Sequence, residues 1–329
     1  QAGILETARG GILRRGLAVQ HANVAAVTNI SADHFGEYGI HDLSGLADVK
    51  LVVARALDSD GVLVLNADDV VLMQKADQFK CRHAYFSIQA NNPYVDALKK
   101  RGGIFCVLIN EHLYLNDIDL GAIVDMPLSM GGTAKYNIEN LASAACIAFG
   151  LGIGVDAIRA TIRRFGAINS DNPGRLQRWQ VGRAAVLIDY AHNPEGLHGF
   201  LAIVKNQQSE GRLALLLGQA GNREDEDIRE LAKVAASFKP DLIVLKDIDG
   251  FIRCRKPGEV AEILQDTLVE HGIPASRLVT QLDEVEAVRT ILHWAQAGDI
   301  LALPIHSTKG RAEVEALMFR HPAIQEACI

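Results

Sequence analysis

The 329-residue chain has little that would place it outside the ordinary globular proteins. Its five cysteines, Cys81, Cys106, Cys146, Cys254 and Cys328, are odd in number and scattered. No CxxC pair or Cys/His zinc spacing occurs, so reduced thiols in a cytoplasmic protein are expected. No apolar run approaches the ~20 residues of a membrane span, and the first residues lack the basic stretch of a signal peptide. There is no basic excess either. The net charge of −7 argues against nucleic acid as the main partner. No Gly-x-x-x-x-Gly-Lys-Ser/Thr occurs anywhere, because Thr308-Lys309-Gly310 has the wrong order. The chain also opens at Gln1 rather than Met and runs almost at once into an apolar segment, as expected of a piece of a longer polypeptide.

What is present is an alternation of strand-like and helix-like segments. Residues 2–6, 24–30 and 61–66 read as strands, and 43–57 has a helical period. Residues 81–130 are short β-rich pieces separated by Asn, Gly and Asp, which predicts a β-hairpin insertion rather than a βαβ unit. Helical character returns at 138–150 and 155–165. The polar, turn-forming stretch 166–174 marks a hinge. Beyond it, strands at 184–188, 213–217, 242–245, 278–281 and 300–303 alternate with helices near 194–205, 226–237, 257–271, 284–295 and 312–319. That rhythm predicts a mainly parallel sheet covered on both faces.

Polar clusters punctuate the predicted strand ends, the edge where open α/β sheets hold ligands. Leu5-Glu6-Thr7-Ala8-Arg9-Gly10-Gly11 and Thr28-Asn29-Ile30-Ser31-Ala32-Asp33-His34 each follow an apolar run, placing a carboxylate and an imidazole where a divalent ion could be held. Leu65-Asn66-Ala67-Asp68-Asp69 follows the third strand. Asn137 and Asn140 sit one turn apart at a helix start, with amides able to read an adenine edge. Asn172-Pro173-Gly174-Arg175 offers a guanidinium at the hinge. Asp189-Tyr190-Ala191-His192-Asn193-Pro194 and Gly218-Gln219-Ala220-Gly221-Asn222-Arg223 each open a helix. Taken singly, every cluster also fits a plain role: a helix cap for Asn66–Asp69 and for Asp189 or His192, a solvated charge for Arg175 or Lys50.

In this order the motifs resemble the Mur-ligase superfamily of ATP-dependent amide-forming ligases, most nearly the Mur-like half of the cyanophycin synthetases. The similarity runs through Glu-Thr-Ala-Arg-Gly-Gly, Asp-His, Asn-Ala-Asp-Asp, Asn-Pro-Gly-Arg, Asp-Tyr-Ala-His-Asn-Pro and Asp225-Glu226-Asp227-Ile228-Arg229-Glu230, and spans nearly the whole chain. It implies a truncated central ATPase-type α/β domain with a β-rich insertion (1–167, its phosphate-loop part absent), followed by a Rossmann-like α/β C-terminal domain (168–329). Glu6 and His34 would hold Mg²⁺. Lys50 would match the lysine carbamylated in many relatives, acting in catalysis with His34 and Arg175. Asn66, Asp68, Asn137, Asn140, Arg175 and Asp189 would bind ATP, and His192, Asn193 and Arg223 would face the amino-acid substrate.

The implied reaction joins arginine to the aspartate side chain of a growing polymer through an acyl phosphate. Its substrates would be an amino acid and a peptide or polymer, and the protein a homo-oligomer within a longer chain. Arginine would call for acidic residues in the second domain, with Glu224, Asp225, Glu226 and Asp227 available. A stand-alone Mur-type or folylpolyglutamate-type ligase, or a non-catalytic scaffold, remain the alternatives. Asn222, where many relatives have Asp, and the missing phosphate loop are the departures.

Overall fold

The computed structural model describes residues 3–31, 39–208, 210–253, 255–320 and 324–326, and the chain divides into two compact units, Gln1–Phe165 and Gly166–Ile329.

The first unit runs α1 (Arg9–Arg15), β1 (Ala22–Val27), α2 (Leu43–Lys50), a tightened turn Leu51–Ala56, β2 (Leu57–Asn66), α3 (Val70–Ala76), β3 (Arg82–Ser87), α4 (Pro93–Lys100), β4 (Ile104–Ile109), β5 (His112–Leu115), β6 (Ile118–Ala122), α5 (Lys135–Gly150) and α6 (Val155–Ile162). Its sheet follows sequence order, β1 to β6; β1 to β4 are parallel and β4 to β6 form an antiparallel meander. The last six residues of β2 are all buried because both faces of a parallel sheet are covered. Leu63, Leu65, Tyr85 and Phe105 share one core with Leu46, Leu72, Met73, Val95 and Leu98 of α2 to α4. Val62, Val64, Phe86 and Cys106 share the opposite one with Ile138, Leu141, Ala145 and Ile158 of α5 and α6.

Two expectations are corrected here. Residues 3–6 form no strand: Ile4 and Leu5 are 90% and 69% exposed, and an apolar run becomes a strand only where a ladder partner and a covered face receive it. Residues 82–109 are a βαβ unit of the main sheet, and only 104–122 form a hairpin meander. The helix between is α4, with Asn92 accepting from the N–H groups of Tyr94 and Val95 and proline at its first position.

The second unit contains β7 (Gln177–Val181), β8 (Ala184–Asp189), α7 (Pro194–Gln207), β9 (Leu213–Leu217), α8 (Asp225–Ser237), β10 (Leu242–Leu245), α9 (Glu259–Glu270), β11 (Leu278–Thr280), α10 (Glu284–Trp294), β12 (Ile300–Pro304), α11 (Thr308–Arg320) and β13 (Ile324–Glu326). The strand order is β11-β10-β9-β12-β8-β7-β13. The first five are parallel, and β7 and β13 extend the sheet antiparallel. Every residue of β9, β10 and β12 is buried. Val186, Leu216, Val244 and Leu301 pack toward Val288 and Ile291 of α10 and Val314 and Met318 of α11. Because β12 returns between β9 and β8, the carboxyl ends of β8, β9, β10 and β12 converge on one edge, where such sheets open a crevice. Among the described residues no helix is long and apolar enough to cross a membrane.

Candidate functional site

In the first unit the carboxyl ends of β1, β2 and β3 carry the candidate residues, and much of their polarity is turned inward. Asp69 caps α3 by accepting from the N–H groups of Val71 and Leu72, while its other oxygen takes the Ile30 N–H at 2.6 Å and so fixes the loop after β1. Asp68 accepts from the Ser87 hydroxyl (2.6 Å), the Ile88 N–H (2.8 Å) and the Asn92 amide (2.9 Å). Those three bonds tie the end of β2 to the end of β3 and the start of α4. Asn66 is buried and accepts from the Asp68 N–H. Lys50, at the end of α2, donates to the Asn29 carbonyl at 3.0 Å. Asn137 donates to the Leu128 carbonyl, with exposed Asn140 beside it. Glu6 stands exposed before α1, and His34 lies outside the described residues. Among the described residues no three His, Cys, Asp or Glu gather to hold a metal ion.

In the second unit the geometry is tighter. The turn 172–176 closes with the Arg175 N–H on the Asn172 carbonyl, and it requires left-handed backbone at Gly174 (φ 74°) and Leu176 (φ 47°). A non-glycine residue held there stores strain, which is tolerated where surroundings over-determine it. Here the Leu176 N–H donates to buried Asp189 at 3.0 Å, and the Arg175 guanidinium lies 4.7 Å from the centre of the Tyr190 ring. Arg175 is thereby held on the aromatic face with its charge still exposed. Burial raises the Asp189 carboxyl, and the Leu176 N–H and the Arg175 charge pull it partly back.

His192 Nδ1 lies 3.2 Å from the Tyr190 carbonyl, with its ring against that of Tyr190, and its own carbonyl accepts from Gln219 at 2.9 Å. Asn193 caps α7 through the Gly196 N–H. Arg223 is half-buried in the turn after β9, and its carbonyl accepts from Arg255.

Sequence reasoning missed a second layer on this edge. Directly after β10, Lys246 is wholly buried; its Nζ is 2.5 Å from Glu284 Oε1 and 3.0 Å from His306 Nδ1. His306 Nε2 is 2.9 Å from the Ala191 carbonyl. Beside this group lies a cavity of about 270 Å³ lined by Asp247, Asp249, Asp283, Glu284 and Glu313, with Lys309 at its rim. Glu284 pairs with Lys246 and Glu313 with Lys309 at 3.7 Å, which leaves the lining net negative. Two of the four acidic residues at the start of α8 are engaged: Asp225 pairs with Arg255 (2.6 Å) and Glu226 with Lys233 (3.2 Å).

Comparison with known proteins follows the same two-unit division. The Mur ligase middle domain family matches residues 1–148, and the Mur ligase glutamate ligase domain family matches residues 174–303. The chain belongs to the Mur ligase family. It is 36% identical over 307 residues to a cyanophycin synthetase of Nostoc sp., covering 92% of this chain and 34% of that protein. It is 34% identical over 327 residues to a cyanophycin synthetase of Synechocystis sp., covering 98% of this chain and 36% of that protein. The chain thus spans about a third of the length of these Mur ligase relatives. Among solved structures, folylpolyglutamate synthase of Mycobacterium tuberculosis shares the fold, with a TM-score of 0.62 at 19% identity over 90% of this chain and 64% of that one.

Proposed function

We propose that this Mur ligase chain is the amide-forming module of an ATP-dependent acid–amino-acid ligase, and that the amino acid it adds is arginine. The acceptor is the side-chain carboxyl of aspartate in a growing multi-L-arginyl-poly-L-aspartate chain. The acceptor carboxylate attacks the γ-phosphorus of ATP, giving an acyl phosphate and ADP. The arginine α-amine then attacks the acyl carbon, and phosphate leaves. Such chemistry needs positioning and charge neutralisation more than a covalent protein group.

The observation that carries the reading is the carboxylate-lined cavity at the carboxyl edge of the second sheet. A guanidinium is planar and weakly hydrated, and it gains most where several carboxylates meet it in a sheltered site. The name of the Nostoc and Synechocystis relatives supports the same product. Arg175, fixed on Tyr190 beside Asp189, is the cation for phosphate oxygens. His192, two residues before α7, faces the amino-acid side. Lys50, Asn66, Asn137 and Asn140 are the nucleotide candidates of the motif pattern, whereas Asp68 acts by holding two strand ends together. Glu6 and His34 are the magnesium candidates of the motif pattern. His34 lies outside the described residues, so the reading rests on the side chains that are described.

Calorimetric titration with a non-hydrolysable ATP analogue and Mg²⁺, repeated with arginine, tests the proposal. Arg175→Ala should weaken the analogue at least about tenfold, the worth of one charge-assisted hydrogen bond. Arginine should bind and glutamate should not. No analogue binding at millimolar concentration would overturn the reading for this chain and favour a scaffold.

A further inference from the structure

A lysine ammonium has only donors, so Lys246, paired with the Glu284 carboxylate, fixes the chemistry of everything it touches. Its donation to His306 Nδ1 makes that nitrogen an acceptor, places the ring proton on Nε2, and thereby makes Nε2 the donor to the Ala191 carbonyl. The ring is neutral: burial, then the Lys246 charge, push its pKa well below the ordinary value. Glu284 anchors the other end. It accepts from Lys246, from the His306 N–H at 3.0 Å and from the Ser307 hydroxyl at 2.9 Å, so one carboxylate holds both the amine and the turn carrying the imidazole.

Space has been cleared for this chain of bonds. A Cβ at Gly218 would fall 2.6 Å from the Lys246 carbonyl and 2.9 Å from its Cγ, and one at Gly310 would fall 2.2 Å from Glu284 Oε2. The neighbouring bonds converge on the same loop. The Ile305 N–H donates to the Asp189 carbonyl, Gln219 donates to the His192 carbonyl, and the His306 ring meets Tyr190 edge-on at 5.6 Å.

We infer that Lys246, Glu284 and His306 are positioning residues: a buried relay that sets the backbone of residues 189–193, and with it Asp189 and His192, from beneath. Glu284 also lines the acidic cavity, so the relay joins the wall of that cavity to the loop carrying the phosphate-side and amine-side residues. Its value to catalysis rests on the ligase reading above; the positioning itself does not.

The test is ¹⁵N-histidine NMR of the 329-residue chain, combined with titration of the ATP analogue. In the wild type the His306 ring should show a proton on one nitrogen and an acceptor at the other. His306→Phe keeps a ring but offers no donor to Ala191, so the His192 ring signals should move and the analogue should bind about tenfold more weakly, one hydrogen bond's worth. His306→Gln carries an amide donor near the Nε2 position and should return both to within about threefold. Lys246→Met with Glu284→Gln removes both charges without leaving a lone ion; it should shift the His306 ring signals and, through them, those of His192. A purely structural role would lower the melting temperature while His192 signals and affinity stayed as in the wild type, and that result overturns the inference. Should the wild type fail to bind the analogue, the ligase reading falls, and the His192 signals still decide the positioning.

Discussion

Replacing Lys246 by Met removes an ammonium that is 0% exposed and leaves Glu284, itself 6% exposed, as a buried carboxylate without its counter-ion. Breaking a buried pair by removing one partner costs about 3–5 kcal/mol, because the remaining charge cannot regain water. Here the carboxylate keeps the His306 N–H and the Ser307 hydroxyl, with a weaker contact to the Ser307 N–H at 3.4 Å, which places the expected loss near the lower end, about 3 kcal/mol. Adding Glu284→Gln removes the charge and keeps an acceptor, so the double variant should recover about 2 kcal/mol of that loss, a coupling well above the ~0.5 kcal/mol typical of independent sites. The assay is urea unfolding followed by tryptophan fluorescence. Both tryptophans, Trp179 and Trp294, belong to the second unit, so the signal reports that unit alone. With a urea slope of about 2 kcal/mol/M, Lys246→Met should lower the midpoint by about 1.5 M. A fall of less than about 0.3 M, or no recovery in the double variant, would show that the network carries no buried charge worth the name.

The same titration run across pH isolates His306. Burial and the facing Lys246 ammonium hold its folded pKa below the unfolded value, with Glu284, Tyr190 and His192 the other polar neighbours. The unfolded chain therefore takes up a proton that the folded one refuses, and stability is full above pH ~6.5 and lost as pH falls below it, by up to about 1.4 kcal/mol per unit. The stability gap between wild type and His306→Gln should change by that slope between about pH 6.5 and 5.5; parallel curves would refute the assignment. In the first unit, Asp68→Ala should cost about 1–3 kcal/mol in thermal unfolding, because it strands the Ile88 N–H, while the Ser87 hydroxyl keeps the Gln89 carbonyl and the Asn92 amide keeps the Ala67 carbonyl. A loss under about 0.5 kcal/mol would restore Asp68 to the list of residues free to meet nucleotide.

The second unit was legible where its strands are short, aliphatic and buried on both faces: Leu213–Leu217 and Ile300–Pro304 are buried throughout, and the first is followed by α8, whose Ile228, Leu231, Ala232 and Ala235 form an apolar stripe. The first unit misled where local pattern and tertiary context part company. Residues 2–6 have the composition of a strand, but Ile4 and Leu5 have nothing covering them in this fold. Helix α4 buries only Val95 and Leu98, too little to announce itself among β-rich neighbours, although Asn92-Pro93 was a visible start signal. Strand β7 alternates, with Gln177 and Trp179 inward and polar residues between, and reads as loop beside its aliphatic neighbours. For the site, position was readable and role was not. Asp68 and Asp69 follow a strand as expected, yet both carboxylates are spent on backbone and side-chain donors. Lys246, Glu284 and His306 lie 38 and 60 positions apart, so no local spacing could join them. Their one signal was a charged residue and an imidazole placed right after aliphatic strands, at Leu245-Lys246 and Ile305-His306.

That placement also argues for why the pair is there. A buried ion pair is a poor way to gain stability, since well-packed apolar residues of similar volume often do as well or better. Apolar residues at 246 and 284 could fill the space beneath the sheet edge, but they could not fix the tautomer of His306, and a ring free to turn would not hold the Ala191 carbonyl in one place. The donor–acceptor sequence from Glu284 through Lys246 and His306 to Ala191 has one arrangement in which each of its bonds pairs a donor with an acceptor. What the network contributes is therefore uniqueness of the loop that carries Asp189 and His192 rather than strength of the core. A cation entering the acidic cavity would meet that same arrangement from its other end, at Glu284.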